Sequence, residues 1–480
     1  MNRSMITYVL GTVFKLTGAF LLVPVLCSII YREHEGVPYL ITGIISILIG
    51  VMFTINKPRD SSFFLREGCI TTALSWILLS IVGAIPFVLT GEIPNLLDAV
   101  FETVSGFTTT GASIVDNVEA LSHTALLWRS FTHWIGGMGV LVFLLAIIPL
   151  TGGGTINLMR AESPGPTVGK LVPKITYTAR ILYGIYLSLT VAMLLILIIL
   201  RMPLFDAICT AFGTAGTGGF GIRADSIGSY SPAIQWVITI FMILFGVNFN
   251  AYYLILLREF KRAFSMGEVR AYFLIILAAI ILITINITGY YPTISEAILA
   301  SSFQVGSIIT TTGFCTADFG QWPPLSQGIL VMLMFIGACA GSTGGGMKVS
   351  RVIFQAKSMH RQVFTYLHPR AVNPIKIDNQ VMDEVTHKGL HSYFAAYLLI
   401  FSLSILPLLA EGCDLVTGFT AVAATFNNIG PGLAAVGPTE NFAALGGISK
   451  CVLIFDMLAG RLEIFPLIVL FSPYLWVKRQ

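Results

Sequence analysis

The sequence predicts an all-α integral membrane protein, in which two N-terminal helices precede four copies of one helix, re-entrant segment and helix unit. Two observations support this fold class: long uncharged apolar stretches, and a glycine motif that recurs four times. Of the 480 residues, 55% are hydrophobic and only 11% are charged. Soluble domains carry roughly a quarter charged residues, so this composition indicates a chain whose solvent is largely lipid.

Ten stretches of the chain are candidates for membrane-spanning helices. A spanning helix needs roughly 20 apolar residues. Eight stretches without Lys, Arg, Asp or Glu reach that length, namely 36–56, 68–91, 130–159, 181–200, 226–257, 271–295, 319–347 and 389–410. Two further stretches with few charges, 6–30 and 450–476, complete the set. The first of these is too long for a signal peptide and has no small-residue cleavage site, so we expect it to remain as a helix.

The charge distribution predicts the orientation. With the N-terminus inside, most of the 28 Lys and Arg residues fall on one face. The positive-inside rule makes that face cytoplasmic, and both termini then lie in the cytoplasm. More than half of the 24 acidic residues fall on the outer face. These carboxylates either concentrate cations at the surface or are ordinary solvated charges.

One segment of the chain occurs in four versions. The stretches LLDAVFETVSGFTTTGA (96–112) and LFDAICTAFGTAGTGGF (204–220) align without a gap. ASSFQVGSIITTTGF (300–314) is a third copy, and FTAVAATFNNIGPG (419–432) is a weaker fourth. Such internal similarity indicates one module repeated four times.

Each copy contains a segment too short to cross a bilayer, which must therefore enter and leave by the same face. Re-entrant backbone is tolerated where it is buried in protein or lines a water-filled cavity. Pro94 and Pro203 indicate helix starts in the first two copies. Asp98 and Asp206 follow in the first turn, where a carboxylate suits the exposed N–H groups. We interpret both aspartates as capping residues, with cation binding as the alternative.

Each short segment ends in an uncharged motif, called here a glycine motif. The four motifs are Thr108, Thr109, Thr110 and Gly111; Gly216, Thr217, Gly218 and Gly219; Thr310, Thr311, Thr312 and Gly313; and Asn427, Asn428, Ile429 and Gly430. Four converging backbones can supply a ring of carbonyls that replaces the water shell of a monovalent cation. Glycine adopts the backbone angles that such a ring demands. The pattern predicts a cation filter rather than a helix contact made by small residues.

At these motifs the chain resembles the Trk/Ktr/HKT superfamily of potassium transporters, and it is similar to the bacterial Trk-type uptake subunit over essentially its whole length. Further similar stretches are MRAESPGP (159–166), GVNFNAYY (246–253), GACAGSTGGGMK (337–348) and AGRLEIFP (459–466). The resemblance implies four membrane-pore-membrane repeats around one pseudo-fourfold pore, plus two extra N-terminal helices. Glycine at all four aligned positions resembles the potassium-selective pattern of the family, although the fourth motif departs most from it.

The resemblance also implies the setting of the protein. It implies a homodimer with one pore per protomer, a cytosolic nucleotide-binding regulatory subunit, and a place in the bacterial cytoplasmic (inner) membrane. The expected division is 1–60 for the N-terminal helices, then 61–160, 161–265, 266–375 and 376–480 for the four repeats. The third repeat contains an intramembrane loop.

That loop is predicted to gate the pore. Residues 341–346 have the spacing of a phosphate loop, but Met347 occupies the lysine position and no strand precedes the segment. Glycines this dense should break a membrane helix and leave a polar loop. The candidate gate comprises Gly341, Ser342, Thr343, Gly344, Gly345, Gly346 and Lys348. A packing kink without a gating role is the alternative.

Arg461 joins the candidate gate. An arginine inside a membrane span costs from about 3 kcal/mol upward, and such residues usually face a bundle interior or a partner. Asp456, Glu463 and the loop backbone are its expected partners. Arg461 either forms a structural ion pair or acts as an electrostatic barrier in the path of the cation.

The predicted function is potassium uptake through this filter, and the rival function is cation-coupled secondary transport, meaning potassium symport with protons or sodium. Secondary transporters commonly use inverted repeats, whereas all four modules here share one topology. The sequence lacks HExxH and GxSxG motifs, and the seven cysteines are scattered singly. We therefore expect no enzymatic activity, no cofactor in the chain and no nucleic-acid partner, with the lipid bilayer as surroundings and potassium as substrate.

Overall fold

The computed structural model describes residues 2–58, 64–139, 175–369, 374–377, 380–381 and 384–473. Helices account for nearly all of the regular structure in these ranges, which confirms the predicted all-helical class. Six described helices are long and apolar enough to cross a membrane, or seven if the bent pair Pro232–Phe245 and Phe249–Leu256 counts as one span. The chain is a multi-pass membrane protein.

The N-terminal part consists of two antiparallel spans. Helices Arg3–Phe20 and Leu22–Tyr31 follow each other as one span, and Gly36–Thr54 is the second. Glycines allow the two backbones to approach closely: a β-carbon on Gly18 would lie 2.5 Å from the carbonyl oxygen of Gly43. Small residues at such contacts are typical of helix packing in membranes.

Four successive blocks then show the same order of elements: a long helix, a short helix, a glycine motif and a second helix. The long helices are Leu65–Thr90, Ile175–Ile199, Gly267–Ile287 and Glu384–Ala410. The short helices are Leu96–Phe107, Leu204–Gly216, Ile294–Ile309 and Leu415–Phe426. The second helices are His123–Met138, Pro232–Phe245, Pro324–Ile336 and Gly447–Arg461.

The second helices are shorter than the spans that the sequence predicts. Pro232–Phe245 bends by 91° into Phe249–Leu256, so an unbroken helix over 226–257 is wrong. Asn248 causes the break, because its side chain accepts a hydrogen bond from Asn250 N and so starts a new helix. The span expected over 450–476 is likewise interrupted between Arg461 and Phe465. Residues 140–159 of the stretch 130–159, and the MRAESPGP motif at 159–166, lie outside the described residues.

The remaining elements connect these blocks. Helix Phe260–Ser265 precedes the third block, and Val349–Leu367 follows the glycine-rich loop. Short 3₁₀ turns occur at Val118–Ala120, Thr288–Tyr290, Phe319–Gln321 and Ala434–Val436. A two-residue antiparallel ladder pairs Lys376–Ile377 with Gln380–Val381. This small hairpin is an exception to the all-α prediction.

The short helices form the centre of the molecule. Every residue from Phe303 to Ile309 is buried, although the segment includes polar side chains. The long helices instead expose large apolar side chains such as Leu195, Leu398 and Leu399. Exposed leucines suit a lipid-facing surface, whereas re-entrant backbone requires protein around it. The short helices are therefore placed as a re-entrant segment must be.

Asp98 and Asp206 do lie in the first turns of their short helices, but they are not the capping side chains. Asn95 caps the first short helix by accepting from Leu97 N. Instead, the two aspartates form ion pairs: Asp98 with Lys450 at 2.6 Å and Asp206 with Arg223 at 3.1 Å. Both carboxylates are thus tied to basic side chains from other segments, which the local sequence pattern could not indicate.

Candidate functional site

The four glycine motifs share one unusual backbone conformation. A left-handed φ is uncommon for residues other than glycine. Here it occurs at the second position of every motif, with φ of 56° at Thr109, 53° at Thr217, 57° at Thr311 and 55° at Asn428. It occurs again at the fourth position, with φ of 81° at Gly111, 80° at Gly219, 83° at Gly313 and 99° at Gly430. The motifs are therefore repeats of one backbone shape.

The motifs also adjoin one another in a closed ring. A β-carbon on Gly111 would lie 2.0 Å from the carbonyl oxygen of Gly218 in the next motif. The same relation joins Gly219 to Thr312 at 2.0 Å, Gly313 to Ile429 at 2.1 Å and Gly430 to Thr110 at 2.8 Å. The last of these contacts returns to the first motif, so the four segments surround a common centre.

This ring explains why each aligned position is glycine. A positive φ disfavours side chains with a β-carbon. In addition, the carbonyl oxygen of the neighbouring motif occupies the space that a side chain would need. The contact is loosest at Gly430, which belongs to the motif that departs most from the others.

Hydroxyl groups brace the first and third motifs against their own short helices. Thr108 Oγ1 and Thr110 Oγ1 lie 2.8 Å apart, and Thr108 donates to Val104 O at 2.7 Å. The third motif repeats this arrangement: Thr310 Oγ1 and Thr312 Oγ1 lie 2.8 Å apart, and Thr310 donates to Gly306 O at 2.6 Å. These threonines are completely buried, so their bonds are shielded from water and hold the motif in place.

In the fourth motif, the amide side chains of Asn427 and Asn428 form the hydrogen bonds that hold the motif in place. Asn427 Oδ1 accepts a hydrogen bond from Tyr397 at 2.9 Å. Asn428 Nδ2 donates to Thr110 Oγ1 and to Met457 O, both at 2.9 Å. The fourth motif is thus bonded directly to the first. Sequence reasoning missed Tyr397, which lies 30 residues from Asn427 and carries no local motif.

The glycine loop, residues 341–346, contacts two of the motifs. Gly345 N donates to Thr311 Oγ1 at 2.6 Å, and Gly346 N donates to Asn427 O at 3.0 Å. A β-carbon on Gly344 would lie 2.8 Å from the carbonyl oxygen of Thr310, which is one more motif contact. The loop therefore lies against the third and fourth motifs.

Several polar groups around the loop are bonded within the protein. Glu268 accepts from Ala340 N at 2.7 Å and Ser350 N at 3.1 Å, and Thr343 Oγ1 donates to Phe245 O at 3.2 Å. Ser342 Oγ donates to Cys339 O, just before the loop, at 2.6 Å, and Lys348 Nζ donates to the loop carbonyl of Gly344. Irregular backbone at membrane depth needs such partners. Glu268 is a residue that sequence reasoning missed.

Arg461 connects the loop to the first repeat. Its guanidinium donates to Thr343 O at 3.0 Å, to Gly137 O at 2.9 Å and to Gly136 O. The loop backbone is thus one of its partners, as expected. The two acidic candidates have partners of their own: Asp456 accepts from Ser404 at 2.7 Å, and Glu463 pairs with Arg351.

A buried ion pair joins the first short helix to the second helix of the same block, and its arginine also reaches the segment after the second motif. Arg129 Nε lies 2.8 Å from Glu102 Oε1, and both side chains are buried. Glu102 also accepts from Ile114 N at 3.0 Å, while Arg129 donates to Gly221 O at 3.3 Å. The guanidinium lies 4.1 Å from the centre of the Phe220 ring. A charge pair this buried needs such additional bonds to be favourable.

Comparison with known proteins identifies the family. The family model TrkH, described as a cation transport protein, matches residues 37–476. The chain is 38% identical to the "Trk system potassium uptake protein TrkH" of Salmonella typhimurium, covering 99% of this chain and 100% of that protein. It is 35% identical to the protein of the same name from Halomonas elongata, with 100% of both chains covered.

The fold agrees with that relationship. The crystal structure titled "Potassium Transporter TrkH from Vibrio parahaemolyticus" matches with a TM-score of 0.89 at 33% identity, covering 99% of this chain and 100% of that one. A match of this extent covers the membrane helices as well as the glycine motifs. The chain belongs to the TrkH family of cation transport proteins.

Proposed function

We propose that the protein takes up potassium ions across the cytoplasmic membrane of a bacterium, through a filter made by the four glycine motifs. The observation that carries this proposal is the closed ring of contacts between each motif glycine and the carbonyl of the next motif. Backbone carbonyls around one axis can replace the hydration shell of a potassium ion. The names of the Salmonella and Halomonas relatives support the choice of ion.

The electrostatics of the site suit a monovalent cation. Each short helix runs directly into its motif at its C-terminal end, and that end carries a partial negative charge. The motifs themselves contain no Asp or Glu, so the attraction comes from dipoles rather than from full charges. Dipoles favour a singly charged, readily dehydrated ion over a divalent one.

Gating is the second part of the proposal. The glycine loop contacts Thr311 and Asn427, and Arg461 and Lys348 bond to its carbonyl groups. A loop held by a few hydrogen bonds can exchange between two positions that differ by a few kcal/mol. Conduction then requires that the loop move away from the motifs, and the two cationic side chains stabilise the closed position.

Regulation completes the proposed function. We propose that a cytosolic nucleotide-binding subunit docks on the basic inner face, around 351–388, of a homodimer whose termini are cytoplasmic. Helix Val349–Leu367 begins directly after the loop, and Val349 N bonds to Ala338 O at 3.0 Å. A partner that shifts this helix would therefore shift the loop. The distribution of Lys and Arg supports the same orientation.

The purified protein in liposomes tests the proposed function. Uptake of rubidium, as a tracer for potassium, is compared with uptake of sodium. It is measured first with only the gradient of the transported ion and then with an added proton or sodium gradient. We expect uptake that follows the potassium gradient alone and strongly exceeds that of sodium. Uptake that appears only with a proton or sodium gradient would support the symport alternative. Equal rates for potassium and sodium would contradict the filter.

A further inference from the structure

The second glycine motif lacks the side chains that brace the others. The first and third motifs each have a bonded pair of threonine hydroxyls, at Thr108 and Thr110 and at Thr310 and Thr312. Gly216 and Gly218 occupy the corresponding positions in the second motif. Neither of these two glycines has a positive φ. Their backbone conformation therefore does not require glycine, and another constraint must act there.

That constraint is His133, which comes from a different repeat. A β-carbon on Gly218 would lie 1.1 Å from Nδ1 of His133, and one on Gly216 would lie 2.1 Å from the carbonyl oxygen of His133. His133 belongs to helix His123–Met138 of the first block and is completely buried. Its ring centre lies 4.2 Å from that of Phe220, just after the motif. The imidazole thus fills the place of the missing side chain at Gly218.

The contact reaches the ring of carbonyls directly. The carbonyl oxygen of Gly218 is the one that lies against Gly111 of the first motif. His133 therefore touches the residue through which the second motif meets the first. Close-packed interiors transmit a change of even one methylene, so the position of the Gly218 carbonyl depends on what fills this space.

We propose that His133 is a positioning residue for ion selection: its imidazole sets the position of the Gly218 carbonyl in the ring. The proposal rests on the proposed potassium filter. Neither ring nitrogen has a hydrogen-bond partner within the described part of the chain. Packing is therefore the means of action, and a side chain of similar volume should replace the imidazole better than a small one.

A swap between the two positions tests this directly. The variants are His133→Ala, His133→Leu, Gly218→Thr and the double variant His133→Ala/Gly218→Thr, each assayed in liposomes for the potassium to sodium uptake ratio and for melting temperature. Leu127→Ala is the control, because Leu127 lies in the same helix but packs in a cluster without motif residues, beside Cys27 and Cys209.

We expect His133→Ala to lower the uptake ratio about tenfold, which corresponds to about 1.4 kcal/mol. His133→Leu should stay close to wild type, and Leu127→Ala should lower only the melting temperature. Gly218→Thr should lose most of the preference for potassium over sodium or fail to fold, because the new side chain clashes with the imidazole. The double variant should recover, since the introduced threonine then occupies the vacated space as threonine does in the first and third motifs. Such non-additivity measures direct coupling.

Three results would overturn the proposal. The first is a potassium to sodium uptake ratio in His133→Ala that equals that of wild type. The second is a loss of that ratio in the double variant that equals the sum of the losses in the two single variants. The third is that the double variant fails to fold when Gly218→Thr alone also fails to fold. Each of these presupposes that the wild-type protein prefers potassium. A wild-type protein without that preference would instead contradict the proposed function, so the two failures are distinguishable.

Discussion

Arg461 donates a hydrogen bond of 3.0 Å to the carbonyl oxygen of Thr343. Through this bond the last helix of the fourth block holds the loop that lies against the third and fourth glycine motifs. The same guanidinium bonds to Gly136 and Gly137 at the end of a helix in the first block. One side chain thus ties together the loop and two of the four blocks, and the proposed gate depends on it.

Removal of this tie should increase ion flux. Hydrogen bonds to charged groups contribute about 1.5–3 kcal/mol each, so Arg461→Ala should raise basal rubidium uptake about tenfold or more when loop opening limits the rate. The potassium to sodium ratio should not change, because the motifs keep their own contacts. Deletion of part of the loop should have the same effect.

The control for that experiment is Arg223→Ala, which removes a surface arginine paired with Asp206. Its basal uptake should equal that of wild type. If Arg461→Ala and the loop deletion also show wild-type uptake without any partner protein, the gate lies elsewhere.

Alanine substitution of the four motif glycines should give a graded series. A β-carbon would lie 2.0–2.1 Å from a neighbouring carbonyl oxygen at Gly111, Gly219 and Gly313, but 2.8 Å away at Gly430. We expect the potassium to sodium uptake ratio to fall strongly in the first three variants and to fall less in Gly430→Ala. The ratio is measured by competition between rubidium and sodium. Equal losses at all four positions would show that the close contacts do not decide the effect.

The buried pair of Glu102 and Arg129 should be necessary for folding. Removal of one partner of a buried ion pair costs about 3–5 kcal/mol, so Glu102→Ala should greatly lower the melting temperature in detergent. The exposed pair of Lys388 and Glu384, 3.5 Å apart, is the matched control. Lys388→Ala should change stability by only about 0–1 kcal/mol. Similar losses in both variants would contradict the structural role assigned to the buried pair.

The pH dependence of stability should contain a contribution from Asp414. Hydrogen bonds from the side chain and backbone of Thr417, followed by that from Val416 N, hold the pKa of this exposed carboxyl below its ordinary value. Its contribution to stability is thus present above the ordinary pKa of about 4 and is lost as the pH falls through the lower pKa of the folded state.

Asp414→Asn should therefore be less stable than wild type at neutral pH, and the difference should shrink in acid. Thermal unfolding in detergent across this pH range measures it. A difference that does not change with pH would show that the amide caps the fourth short helix as well as the carboxylate does.

Local patterns in the sequence predicted the parts of this site that are formed by recurring or glycine-rich segments. Gly111, Gly219, Gly313 and Gly430 could be aligned because each follows a short apolar segment, and the dense glycines at 341–346 predicted a break. Contacts between residues that are far apart in the sequence could not be predicted in this way. His133 meets Gly218, Tyr397 meets Asn427, and Glu102 meets Arg129 across long stretches of chain.

Those partners carry no local signal because an isolated buried histidine or tyrosine resembles any core residue of a membrane helix. The aspartates show the same limit. Asp98 lies in the first turn of its own helix, where the sequence suggested a capping role, yet its side chain pairs with Lys450 from the fourth block. The local sequence predicts that a helix forms and where it begins, whereas the packing between helices decides which residue each side chain contacts.

Reversal potentials provide the most direct test of the central claim, that four uncharged backbone segments select potassium. They are recorded from the Arg461→Ala variant in planar bilayers with potassium on one side and sodium on the other. We expect a reversal potential set by potassium, and its collapse toward zero in the same variant carrying Gly111→Ser. A reversal potential near zero before that substitution, or one that no substitution at the four glycines changes, would contradict the claim.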